Sequence, residues 1–298
     1  MNFRELCLRE PKLLVVVGET ASGKSALALE LARRFNGEII CADSWTVYKN
    51  FNIGTAKPSR LERAEVPHHL LDVADPRGGF SAAIFQQLAE PAIAAIARRG
   101  RVPILVGGTG LYIDSVLYHY SFMKEPSLEL RAELNAMSLD ELIARAEKQG
   151  FLSRDIDLGN KRRVIRLIET EGELPERKPL RPNTLVIGLQ SPREDLDVRI
   201  ERRVDAMLEA GLEREVGELA EEYGWDSEAM KGVGYAQWRG YFEGSENVAE
   251  ARRKIIKATR DLAKRQRTWF KRNKSIQWIP TPVKWSNVVE LVTTFLND

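Results

Sequence analysis

The residues best suited to chemistry stand together near the start of the sequence, as Gly18-Glu19-Thr20-Ala21-Ser22-Gly23-Lys24-Ser25. The glycines let the backbone turn so that several N–H groups converge on one phosphate, and a helix starting behind the loop adds its positive end. Lys24 is placed to reach the terminal phosphates, and the Ser25 hydroxyl to ligate Mg²⁺. The apolar run Leu13-Leu14-Val15-Val16-Val17 precedes the loop, and the periodic stretch Ala26-Leu27-Ala28-Leu29-Glu30-Leu31 follows it. That is the strand, loop and helix order a P-loop requires. The pattern predicts a site for a phosphate chain without saying whose phosphate it is.

A second buried strand, residues 38–42, delivers Asp43 and Ser44 at its carboxyl end, where open α/β sheets bind ligands. Asp43 has two candidate tasks there, Mg²⁺ ligand through water or general base; the plainer alternative is that it caps the next turn. A further strand, residues 101–106, runs into Gly107-Gly108-Thr109-Gly110. Nucleotide-hydrolysing P-loop enzymes usually end such a strand in an acid that orients Mg²⁺. Small residues instead let a substrate approach the backbone, and the Thr109 hydroxyl can position a ligand atom or cap a helix. His68 and His69 are adjacent on a predicted strand, residues 68–73, so they face opposite ways and cannot chelate one metal together. Cys7 and Cys41 form no metal or disulfide spacing and receive no function.

The rest of the chain must position these groups. Its 298 residues, 43% hydrophobic and 30% charged, can bury a large core. No run approaches the roughly 18 apolar residues of a membrane span, and residues 1–6 lack the apolar centre of a signal peptide, so a cytoplasmic protein is expected. A helix is predicted over 81–99, with Pro91 ending or kinking it. From 116 to 180 strand signals stop, and helices are predicted at 128–136, 139–149 and 161–171. Arg162 and Arg166 share one face of the last, with Ile165 and Ile168 on another. Strand character returns at 184–189, followed by a capping box, Ser191-Pro192-Arg193-Glu194. The helix behind it buries Leu196, Ile200, Val204 and Leu208, and Gly211 breaks it. A glycine-rich loop, residues 231–238, leads into a basic helix, and a strand at 276–279 and a helix at 286–296 close the chain.

Net charge is +2, but residues 251–274 hold eleven cations against Asp261 alone, leaving the remainder at −8. This is the footprint of a surface that meets a polyanion. Ile255, Leu262 and Trp269 with Ile256, Ala263 and Phe270 make the core face of that helix, and the cations line a different side. The expected fold is α/β: a P-loop NTPase-like parallel sheet core, residues 1–115 and 181–298, with a helical insertion domain at 116–180.

Together these segments resemble the tRNA dimethylallyltransferase (tRNA isopentenyltransferase) family over nearly the whole chain. The likeness runs through GETASGKS at 18–25, ICADSWTVYKNFNIGTAKP at 40–58, VPHHLLDVADP at 66–76, FSAAIFQ at 80–86, GRVPILVGGTGLY at 100–112, NKRRVIRLIE at 160–169, GVGYAQ at 232–237 and TRDLAKRQRTWFKR at 259–272. It implies transfer of a dimethylallyl group from dimethylallyl diphosphate to N6 of adenosine 37, in tRNAs reading codons that begin with U. It also implies Asp43 as general base, with Thr109 positioning it or the reacting centre. Gly18, Thr20, Ala21, Ser22, Gly23, Lys24 and Ser25, with Mg²⁺ and Arg260, would hold the diphosphate; Ser25 and Asp43 are the candidate metal ligands. The anticodon stem-loop would meet Asp43, Ser44, Trp45, Thr46, Thr109, Arg131, Arg162, Arg163, Arg166, Gly234, Tyr235, Lys264, Arg265, Gln266, Arg267 and Trp269. Trp45 and Tyr235 would line the route of the flipped base. A monomer is expected.

Two departures stand out: Glu19 where the family usually has proline, and Trp45-Thr46 where its residues are smaller or amide-bearing. Competing readings are a P-loop small-molecule or nucleoside kinase, and a non-catalytic RNA-binding module that uses a bound nucleotide structurally. Neither accounts for the glycine-threonine strand end together with the basic helix.

Overall fold

All six residues of Leu13–Gly18 are buried, which explains why the strand is apolar throughout rather than alternating. It is β1 of a computed structural model that describes residues 10–122, 127–152, 157–173 and 178–298. Cys7 and the chain start lie outside the described residues. The chain divides into two units, Met1–Leu117 with Leu180–Asp298, and Tyr118–Pro179. In the first, β1 is followed by α1 (Lys24–Arg34), β2 (Gly37–Ala42), α2 (Arg60–Glu65), β3 (His68–His69), α3 (Ala82–Arg98), β4 (Val102–Gly107) and α4 (Gly110–Leu117). The second holds α5 (Leu128–Ala136), α6 (Leu139–Lys148) and α7 (Lys161–Glu169). The first then resumes with β5 (Thr184–Gln190), α8 (Arg193–Glu209), α9 (Leu212–Tyr223), α10 (Arg239–Phe242), α11 (Val248–Phe270), β6 (Ile276–Pro280) and α12 (Trp285–Asn297).

The six strands are parallel in the order β3-β2-β4-β1-β5-β6. Because β4 lies between β1 and β2, the loops leaving those two strands diverge around its carboxyl end, the place where such sheets open a crevice. One core packs α1 and α12 against the strands through Leu27, Leu31, Val288 and Val292. Another joins α8, α9 and α11 through Ile200, Val204, Val216 and Ile255. Each fully buried aliphatic side chain contributes about 1.5–3 kcal/mol. The helical unit has its own centre, formed by Leu134, Leu142, Val164, Ile165 and Ile168. Among the described residues no helix is long and apolar enough to cross a membrane.

Several local expectations are corrected. Helix α3 runs through Pro91 without a break. Pro91 is exposed, and so is Gln87, whose carbonyl loses its partner, so water can satisfy it. The capping box does not form: Pro192 is the N-cap, one residue later than the motif suggests. Ser191 instead accepts a hydrogen bond from the Thr281 hydroxyl at 2.9 Å. The predicted strand at 68–73 stops after His69, because Leu70 and Asp72 adopt positive φ and turn the chain away. Leu208 is only partly buried. On α11 the core face is rotated: Thr259 and Gln266 are buried with Ile255, Ile256, Ala263 and Phe270, while Leu262 and Trp269 are not fully covered.

Candidate active site

The phosphate loop is held from two sides. Gly23 has φ +94°, a left-handed conformation suited to glycine, and caps the start of α1. From α11, the buried Gln266 side chain accepts the Thr20 N–H at 2.7 Å. From α8, Arg203 donates to the Thr20 hydroxyl at 3.4 Å, and Arg199 donates to the Ala21 and Ser22 carbonyls at 3.5 and 3.4 Å. Lys24 donates to the Glu19 carbonyl at 3.2 Å. Burial pushes the Lys24 ammonium down to about 8; Arg203 adds repulsion, and Asp43 and Glu19 pull the other way.

A ligand that favours charged Lys24 must therefore bring a proton to this site at alkaline pH. Pyrophosphate affinity is expected to fall as pH rises above about 8, approaching tenfold per pH unit. Calorimetry from pH 7 to 9.5 measures this, with Lys24→Met as the control in which that part of the slope disappears. Equal pH profiles for the two proteins would exclude a titrating Lys24.

Asp43 lies at the meeting point of two lobes. The first, about 120 Å³, is lined by Lys24, Ser25, His68, Gln266 and the buried Thr46. The second, about 80 Å³, is lined by Trp45, Val233, Gly234, Ile255 and Thr259. Thr20, Asp43, Thr55, Arg203 and Leu262 border both. Wider grooves of about 780 and 720 Å³ flank the region, but neither contains Lys24 or Asp43.

Oδ1 of Asp43 accepts the N–H groups of Trp45 at 2.9 Å and Thr46 at 3.3 Å, fixing the carboxylate on its own turn. Thr109 makes no bond to Asp43. It accepts the Ser44 N–H at 3.0 Å and donates to the Ser44 hydroxyl at 3.3 Å, so it braces the turn that carries Asp43. Ser25 and Asp43 offer oxygen donors in the same lobe, the donor type Mg²⁺ prefers. Among the described residues no three His, Cys, Asp or Glu side chains converge on a metal position. That arrangement suits Mg²⁺ carried by phosphate oxygens and water.

The structure sorts the remaining expected residues. Trp45 borders the second lobe, its Nε1–H donated to the Ala229 carbonyl at 3.0 Å, and the Gly232 Cα packs so close that a Cβ there would overlap its ring. Tyr235 is fully buried rather than lining either lobe. Its hydroxyl donates to Glu215 at 2.8 Å, and the same carboxylate accepts the N–H groups of Asn52, Ile53 and Gly54, so Tyr235 anchors that loop. Gln266 is committed to Thr20, and Trp269 donates to Asp114 at 2.9 Å. Arg260 is not brought to the phosphate loop: its guanidinium pairs with Asp197 at 3.1 Å and Glu201 at 2.7 Å. Lys264 and Arg265 are exposed, with no ion pair among the described residues.

In the helical unit, Arg131 and Arg166 both pair with Glu169, while Arg162 and Arg163 are exposed. Arg163 approaches Asp157 at 3.7 Å.

His69 pairs with Glu38 at 2.6 Å as a structural histidine. His68 borders the first lobe, its Nδ1–H donated to the Val66 carbonyl at 2.7 Å, and burial lowers its pKa. Cys41 also lines that lobe, but burial pushes its thiol up to about 12, leaving no thiolate nucleophile at neutral pH. Arg199 and Arg203, which hold the loop from α8, are the site-forming residues that the sequence reading missed. Their signal is the four-residue spacing beside the apolar stripe of α8.

A P-loop on a parallel sheet, with a carboxylate braced at the neighbouring strand end and a second lobe opening beside it, defines a P-loop-like α/β protein. The IPP transferase family profile matches residues 46–273, and the chain belongs to that family. A tRNA dimethylallyltransferase of Anoxybacillus flavithermus is 43% identical over 278 residues, covering 90% of this chain and 89% of the relative. Among solved structures, a tRNA isopentenylpyrophosphate transferase from Bacillus halodurans is 36% identical, with TM-score 0.74 and 96% of each chain covered. A eukaryotic dimethylallyltransferase acting on tRNA matches with TM-score 0.82 at 25% identity, over 96% of this chain and 80% of that one.

Proposed function

We propose that this chain transfers a dimethylallyl group from dimethylallyl diphosphate to N6 of adenosine 37 in tRNAs reading codons that begin with U. The observation that carries the reading is the meeting of the two lobes at Asp43, one bearing Lys24 and Ser25 and the other bearing Trp45. The adenine N6 lone pair is delocalised into the ring, so attack on the allyl C1 needs help at both ends. As the C1–N6 bond forms and the C1–O bond breaks, the bond electrons leave with pyrophosphate, and Asp43 accepts the proton released from N6. Lys24, Arg203 and the loop N–H groups meet the charge growing on the leaving group. Mg²⁺ bound through Ser25 and Asp43, by water or directly, would neutralise the same charge. The base must leave its stack to reach Asp43, and the lobe beside Trp45 is its receiving pocket.

A kinase reading is not favoured. The relatives are named as dimethylallyltransferases, and β4 ends in Gly107 rather than in an acid. The test supplies Mg²⁺ and an unmodified tRNA transcript carrying adenosines 36 and 37, with dimethylallyl diphosphate in one reaction and ATP in another. One C5H8 unit gained on adenosine with the allyl donor alone is the expected result. ATP consumption without that gain would replace this reading with the kinase.

A further inference from the structure

A carboxylate in a loop built for anions is a conflict, and Glu19 is such a carboxylate, only 4% exposed. Arg267 of α11 engages both of its oxygens, Nε–H donating to Oε1 and Nη2–H to Oε2, the latter at 3.0 Å. The preceding residue, Gln266, accepts the N–H of Thr20, the next residue of the loop, at 2.7 Å. The main-chain carbonyl of Glu19 meanwhile accepts from the Lys24 ammonium at 3.2 Å. One short stretch of α11 thus grips two consecutive loop residues, and the first of them touches the phosphate-reaching lysine.

We propose that Arg267 is a positioning residue for the donor diphosphate, forming with Gln266 a latch that neutralises Glu19 and fixes the phosphate loop. The inference rests on the reading of that loop as the diphosphate site. A fork-shaped guanidinium holding both oxygens sets the orientation of the carboxylate as well as cancelling its charge. Removing it leaves a shielded, unpaired anion beside the position of the pyrophosphate, where poor solvent screening makes repulsion strong. Arg267 differs in this from Lys264, Arg265, Lys271 and Arg272. Those four are exposed, without ion pairs among the described residues, and so remain available to a polyanion.

The test is calorimetric titration of the full chain with Mg²⁺ and inorganic pyrophosphate, in the absence of tRNA and allyl donor. Arg267→Ala is expected to weaken binding by about tenfold or more, and Arg267→Lys by no more than about threefold. The double variant Glu19→Gln/Arg267→Ala should return to within about threefold of the parent, because the anion that Arg267 answers is gone. Unchanged pyrophosphate affinity in Arg267→Ala, or a loss that Glu19→Gln does not repair, would overturn the latch. The transferase reading is scored separately, by the mass gain on adenosine, so failure of one is distinguishable from failure of the other.

Discussion

Asp43→Asn is expected to lower turnover by about 10²–10⁴-fold while leaving the protein folded. The replacement keeps the shape of the side chain. Its carbonyl oxygen can still accept from Trp45 and Thr46, as Oδ1 of Asp43 does, and Thr109 still braces Ser44. What disappears is the second oxygen, which makes no hydrogen bond among the described residues and is the atom left to take a proton. Stopped-flow or quenched single-turnover measurement with saturating tRNA isolates the chemical step, and thermal melting checks the fold. Turnover within tenfold of the parent would mean that another group removes the N6 proton. His68, which borders the same lobe and whose Nε2 has no hydrogen bond among the described residues, would be the next candidate.

Asp43 was legible because hydropathy marks the end of a strand, and a carboxylate there needs no further geometry to be noticed. The phosphate loop was legible for the same reason, since its glycines and Lys24 stand between an apolar run and a periodic one. Arg203 was not legible. A cation on an amphipathic helix reads as solvated, and only the fold reveals that α8 turns it toward Thr20. Arg260 illustrates the converse: it belongs to a conspicuous basic stripe, yet Asp197 and Glu201 of α8 occupy it. Arg252 is likewise taken by Asp205, Lys254 by Glu246, and Arg267 by Glu19. Charge counts along a sequence cannot separate cations matched within the protein from those left for a partner. The rotation of the α11 core face was hidden for a related reason. Leu262 and Gln266 are four apart, and choosing the leucine as buried follows hydropathy, whereas the phosphate loop requires an amide at the buried position.

The glycines after β4 give the second large effect. Gly107→Ala is expected to cost at least about 3 kcal/mol, a large share of the roughly 5–15 kcal/mol that holds a domain together. Gly107 pairs in register with Ala42 of β2, and a Cβ on it would overlap the Ala42 carbonyl and its own Cβ. Those atoms belong to a central strand and cannot swing aside. Gly108→Ala meets something softer, because its Cβ would press on the side-chain amide of Gln266. That variant should fold, release Thr20 from Gln266, and lose pyrophosphate affinity by about tenfold. The sequence suggested that small residues here make room for a substrate. Gly107 does line the first lobe beside Lys24 and Asp43, and the atoms standing where side chains would go are the protein's own: β2 at Gly107, Gln266 at Gly108, and the Trp269 ring at Gly110. Thermal melting separates the two variants. At about 2–4 °C per kcal/mol, Gly107→Ala should melt some 6–12 °C lower or fail to fold, with Gly108→Ala close to the parent. A Gly107→Ala protein melting within about 3 °C of the parent would mean that β2 and β4 can part to admit a methyl group. The link between this strand end and the phosphate loop would then run through Gln266 alone.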